Sequence, residues 1–186
     1  MEVRVDGLVD AAASLSPNIY RKAMTRALNE IGQQAFTQIK QQISDTFTIP
    51  KREITKAIKV KKANYSTLTI MLIASGQIGL PIILFNTKYG KGKKNMGKNV
   101  RTQVKRASAF HYWSTAFVNT MNSGHVGVYR RTGARRLPIE QIYSVSPVQL
   151  MDNEKTNNVV NKTIQDKFDI IFKRNYEYLS SLSGGA

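Results

Sequence analysis

PNIYRKAMTRALNEIGQQAFTQIKQQISDTF, residues 17–47, decides the fold class. Ile19, Ala23, Ala27, Ile31, Ala35, Ile39 and Ile43 recur every four residues, and Leu28 and Phe36 widen the apolar stripe. That period belongs to one long amphipathic helix with a single buried face. Ser16 followed by Pro17 marks its start, a capping residue and then the one helical position where a missing N–H costs nothing. Asp45, Thr46 and Pro50 close it. A second short helix is predicted over 50–58, with Thr48 available as its cap.

Downstream the period changes. TLTIMLIA (67–74) and LPIILF (80–85) read as two β-branched strands split by the turn-forming SGQIG (75–79). They lie within 25 uncharged residues between Lys62 and Lys88, a length that invites a membrane span. The glycines, Pro81 and the hydroxyl and amide side chains argue against one, since a span needs ~20 predominantly apolar residues. A glycine- and lysine-rich flexible loop follows over 86–100, then further strands in VRTQVKR (100–106), TAFVNTM (115–121) and HVGVYRR (125–131). The helical period returns in Val160, Ile164, Phe168, Ile171, Phe172, Tyr176 and Leu179, which predict a closing helix over 154–182. The expected fold is α+β, with a long N-terminal and a C-terminal helix packed on a mostly antiparallel sheet spanning 59–145. At 186 residues the chain fits one domain, 1–186.

Composition narrows the chemistry. There is no cysteine, so disulfides, a thiol nucleophile and thiolate zinc sites are excluded, and His111 and His125 are the only imidazoles. The net charge is +16, and its distribution matters more than its size. From residue 54 to 139 there is no Asp or Glu but sixteen Lys and Arg, whereas the flanks hold twelve bases and twelve acids. The whole excess sits in the middle and points to a polyanionic partner, nucleic acid above all. A stretch of that length without acid also leaves no paired carboxylates for acid/base work and no carboxylate metal cage. No cofactor, metal or catalytic residue is therefore expected. MEVRVDGLVD has no apolar core of a secretory signal, so synthesis in the cytoplasm is expected.

GKGKKNMGKN (90–99) approaches a phosphate-binding loop through Gly92, Gly97 and Lys98, but Asn99 stands where magnesium needs a hydroxyl. His111, Ser114 and His125 lack any acid to orient a triad. Tyr112 and Trp113 beside Lys105 and Arg106 suit either base stacking or the sheet core, and the core is the simpler reading. The candidate polyanion or partner contacts are Lys88, Lys91, Lys93, Lys94, Lys98 and Arg101 on the loop and strand, with Arg130, Arg131, Arg135 and Arg136 on a basic hairpin.

That hairpin lies in AFVNTMNSGHVGVYRRTGARRLPIEQIYSVSPVQLM, residues 116–151. Phe117, Met121, Ser123, Gly124, His125, Gly127, Val128, Arg130, Arg131, Gly133, Arg136, Leu137, Pro138, Ile139, Tyr143 and Met151 resemble, in order, the pattern of the phage minor tail protein Z family of tail-completion proteins. RALNEIGQQAFTQIKQQI (26–43) is similar to that family's long N-terminal helix, while SVSPV after Tyr143 departs from its usual turn. The resemblance implies a non-enzymatic virion component at the head-proximal end of a tail. Such neck and tail subunits commonly form rings, often sixfold, so it also implies a homo-oligomeric, hexameric ring. Its neighbours would be tail tube, terminator and neck proteins, with genomic DNA in the lumen and no membrane. The alternative from the residues alone is a sequence-independent nucleic-acid-binding protein.

Overall fold

The computed structural model describes residues 16–75, 79–91, 97–152 and 154–183. They divide into two compact units, one formed by 16–39, 59–73 and 154–183, the other by 40–58, 74–75, 79–91 and 97–152. Helices and antiparallel sheets share the chain, so the α+β class stands.

The first unit is built on two long helices. Helix α1 (Pro17–Thr46) begins where Ser16 and Pro17 place it, with the Ser16 carbonyl accepting from the Tyr20 N–H at 2.9 Å. The closing helix α4 (Glu154–Ser183) presents its apolar stripe to the first half of α1. Ala23, Ala27 and Ile31 meet Phe168, Ile171, Phe172 and Leu179 in one buried cluster. Small side chains on α1 leave room for aromatic ones on α4, where the Phe168 and Phe172 rings stack with centroids 6.2 Å apart and Tyr20 meets Phe172 edge-on at 5.8 Å. Full burial of each large side chain contributes about 1.5–3 kcal/mol. At the polar edge Arg174 pairs with Glu30, and the Asn29 amide holds the backbone of Ala63 through two hydrogen bonds of 2.9 and 3.0 Å.

In the second unit, helix α2 (Lys51–Ala57) is one residue shorter at each end than the sequence implies. Thr48 is not its cap. Pro50 precedes the helix, and the Thr48 hydroxyl instead donates to the Gln103 carbonyl and accepts from the Asn86 N–H at 3.0 Å. Strand β1 (Ile58–Lys61) follows directly, carries the chain back into the first unit and pairs there with β2 (Met71–Ala74).

The second of the two expected strands is absent. In LPIILF, Pro81 forms one isolated bridge to Tyr143 and Ile82–Leu84 tightens into a 3-10 turn. Proline has no N–H for a ladder, and the carbonyl of Ile82 is spent on the turn, accepting from Phe85. Strand β3 (Asn86–Lys88) then occupies the first residues of the expected loop, and Val100, its last, opens β4 (Val100–Gln103). With β5 (His111–Trp113) these form one antiparallel sheet in the order β3-β4-β5. A second contains β6 (Ala116–Thr120), β7 (Val126–Arg131) and β8 (Ile139–Gln141), also antiparallel. The expected single sheet is thus three small ones. A short helix, α3 (Pro147–Met151), which the sequence reading passed over, closes the unit.

Candidate polyanion and partner interface

The described candidate cations other than Lys91 fall on three overlapping surfaces, set by strand alternation and by the turns between strands. On β4, Val100 and Thr102 are buried while Arg101 is exposed between them, so Arg101 leaves the outward face. Lys88 of β3 and Tyr112 of β5 are its direct register partners and leave the same face. Opposite, Trp113 lies half-buried and its indole N–H donates to the Thr102 hydroxyl at 2.8 Å, with His111 edge-on at 4.6 Å. The core reading therefore holds for Trp113 and fails for Tyr112, which is 51% exposed. Period-two alternation puts neighbouring aromatics on opposite faces of one strand.

The second surface is the β7–β8 hairpin. Arg130 and Glu140 are register partners joined at 3.4 Å, both more than half exposed, so Arg130 is partly neutralised at its own strand. Arg131 turns to the other face, its guanidinium 5.1 Å from the centre of the Phe117 ring. Arg135 and Arg136 stand exposed in the loop between β7 and β8, closed at its base where Thr132 donates to the Pro138 carbonyl at 3.3 and 3.2 Å.

The third is a groove of about 870 Å³. Lys98, Arg131 and Arg136 line it over Phe117, Met121 and Leu137, and its lining contains no acid. Three residues that the sequence scatters over 39 positions thus share one cavity. Lys98 is placed by a chain reversal: the Gly90 N–H donates to the Lys98 carbonyl at 2.8 Å and the Gly97 N–H to Gly90 at 2.9 Å. Lys91 is exposed, and Lys93 and Lys94 lie outside the described residues. A strand rather than a helix follows Asn99, which denies 90–99 the geometry of a phosphate-binding loop.

The histidines take local partners. His125 meets the Gln141 amide at 3.0 Å, and among the described residues no three His, Asp or Glu side chains gather at metal-binding range. Among the described residues one titration departs from its ordinary value: burial first, and then the neighbouring Tyr143, push the Tyr129 phenol up. No helix among the described residues is long and apolar enough to cross a membrane.

Residues 5–176 match the family described as prophage minor tail protein Z. The chain belongs to that family. The match takes in α1, α4 as far as Tyr176 and all eight strands, so the minor tail protein Z assignment reaches both units and all three surfaces. It gives the chain a structural place in a phage tail. No curated protein and no solved structure matches it.

Sequence reasoning missed one feature of this interface and one of the fold beside it. The exposed Lys88–Arg101–Tyr112 row depends on a register between strands that are distant in sequence, which no local pattern encodes. The capping box of α3 was legible: Ser146, Pro147 and Gln149 have the spacing, and the structure forms both of its hydrogen bonds, at 3.2 and 2.9 Å.

Proposed function

We propose that this member of the minor tail protein Z family is a ring-forming subunit at the head-proximal end of the tail, needed for tail completion and for joining tail to head around the genome. In this reading six copies close a ring. The neutral flanks meet neighbouring copies and the tail tube, terminator and neck proteins, and the basic middle meets DNA in the lumen. The observation that carries it is the separation of charge. No acid lies among the sixteen cations between residues 54 and 139, and of those that the structure describes Lys56 and Arg130 meet a carboxylate, Glu53 and Glu140 at the two edges of the stretch. Such a field is of little use to folding and of direct use to a polyanion. A structural role of this kind needs no catalytic group.

Electron microscopy of intact particles tests it. Density for this subunit should form a closed ring between tail and head, with the β3–β4–β5 and β7–β8 surfaces toward the channel. Location at the distal tip of the tail, or a ring whose lumen is lined by the α1–α4 unit, would overturn it. A second reading, a sequence-independent nucleic-acid-binding protein, draws on the Lys88–Arg101–Tyr112 row. It requires DNA binding by a protein that purified particles lack, which mass spectrometry of those particles decides.

A further inference from the structure

Folding does not explain why Lys88 faces Arg101. The two are direct cross-strand partners in the β3–β4 ladder, both exposed, and neither is in an ion pair among the described residues. Like charges at directly opposed positions, whose Cβ atoms lie about 4.5–5.5 Å apart, destabilise an antiparallel pair. No acid between residues 54 and 139 is available within the segment to offset them. The arrangement makes sense if an anion bridges the pair.

The surroundings say which anion. Tyr112 continues the same row on β5, 51% exposed, with its hydroxyl donating to the Asn99 side-chain oxygen at 3.4 Å. Asn99 has a left-handed backbone, φ 56°, which turns the chain into β4 and sets its amide beside that hydroxyl. Phe110, two residues earlier and so on the same face, lies under the Lys88 ammonium, 4.8 Å from the ring centre. Phe110 therefore holds a cation in place, while Tyr112 presents an aromatic face that no ring or cation among the described residues covers, beside two positive charges. A phosphate with a flat, unstacked base attached to it fits that combination.

We propose that the outward face of the β3–β4–β5 sheet is a binding site for single-stranded nucleic acid, with phosphate between Lys88 and Arg101 and a base stacked on Tyr112. Duplex DNA would use the cations alone, because its bases are stacked within the helix. The site rests on the polyanion reading of the basic middle and adds to it a surface and a strandedness. It needs no sequence preference, since every base has a π face.

Fluorescence anisotropy of the full-length protein with a labelled oligothymidylate, and separately with a labelled duplex, tests the site. Tyr112→Ala should weaken oligothymidylate binding by on the order of tenfold and leave duplex binding unchanged. Tyr112→Phe should restore it, which a merely structural role of the hydroxyl would not allow. Lys88→Ala with Arg101→Ala should weaken binding of the single strand and reduce its log–log salt slope by about 0.7, the contribution of the one phosphate they share. If Tyr112→Ala changes neither ligand, or both equally, there is no base platform and the single-strand proposal falls while duplex binding keeps the polyanion reading alive. If the wild-type protein binds neither nucleic acid, both fall, and an acidic protein surface takes their place.

Discussion

At the residue scale the fold turns on a few backbone positions. Gly97 has φ 71°, its carbonyl accepts from the Val118 N–H at 2.7 Å, and a Cβ there would stand 2.3 Å from the Val118 carbonyl oxygen. Gly124 has a similar φ of 79° with nothing within 4 Å. Alanine at Gly124 therefore meets backbone strain alone, about 1–3 kcal/mol. Alanine at Gly97 meets the same strain plus a clash with backbone that has no flexible end to move, and should destabilise by clearly more. Urea denaturation of the two variants measures the difference, and equal losses would mean that the 97–118 contact does not hold the segment. Tyr129 supplies a pH effect of defined sign. Its phenol is raised above the ordinary value by burial, so the folded state favours the neutral ring. That stability is complete below about pH 10, the unfolded value, and is lost as pH rises through the folded one. Tyr129→Phe should flatten the alkaline limb of a stability–pH profile and leave the neutral region nearly unchanged.

At the element scale, helices were legible and strands only partly so, for a physical reason. Helices α1 and α4 are each 30 residues long, enough turns for the i, i+4 pattern of Ala23, Ala27 and Ile31, or of Phe168 and Phe172, to outweigh any one exception. The strands have three to six residues, too few for alternation to distinguish a ladder from a turn. LPIILF shows the consequence, because its β-branched composition conceals the missing donor of Pro81. The same contrast ranks the effects of substitution. Phe168 is 3% exposed between α1 and α4, and Phe168→Ala should cost about 3–5 kcal/mol through lost burial and a cavity. Ser146→Ala removes one hydrogen bond of a capping box and should cost about 0.5–2 kcal/mol. Thermal melts order the two, and the reverse order would place α3 rather than the helix pair at the centre of stability.

At the scale of the whole molecule, the net charge was legible and its deployment was not. Counting placed the excess in residues 54–139, but only pairing shows that Lys98, Arg131 and Arg136 share a groove while Arg130 is met by Glu140, the first acid after that stretch. The four arginines of the hairpin are therefore not equivalent toward DNA. Each phosphate neutralised adds about 0.9 to the log–log salt slope on duplex DNA, so four engaged cations weaken binding on the order of a hundredfold between about 50 and 200 mM salt. Arg130 spends part of its field on a carboxylate at 3.4 Å, whereas Arg131, Arg135 and Arg136 have no such partner among the described residues. Arg131→Ala and Arg136→Ala should each lower the slope by nearly the full contribution, and Arg130→Ala by less. Glu140→Gln should then raise the affinity and steepen the slope, because it frees Arg130 while preserving the size of the side chain. Titrations of the four variants against one duplex across that salt range make the comparison. A Glu140→Gln protein that binds no better than wild type would mean that the Arg130 face of the β7–β8 hairpin points away from the phosphates, leaving the groove on its other face and the β3–β4–β5 face as the surfaces that meet them.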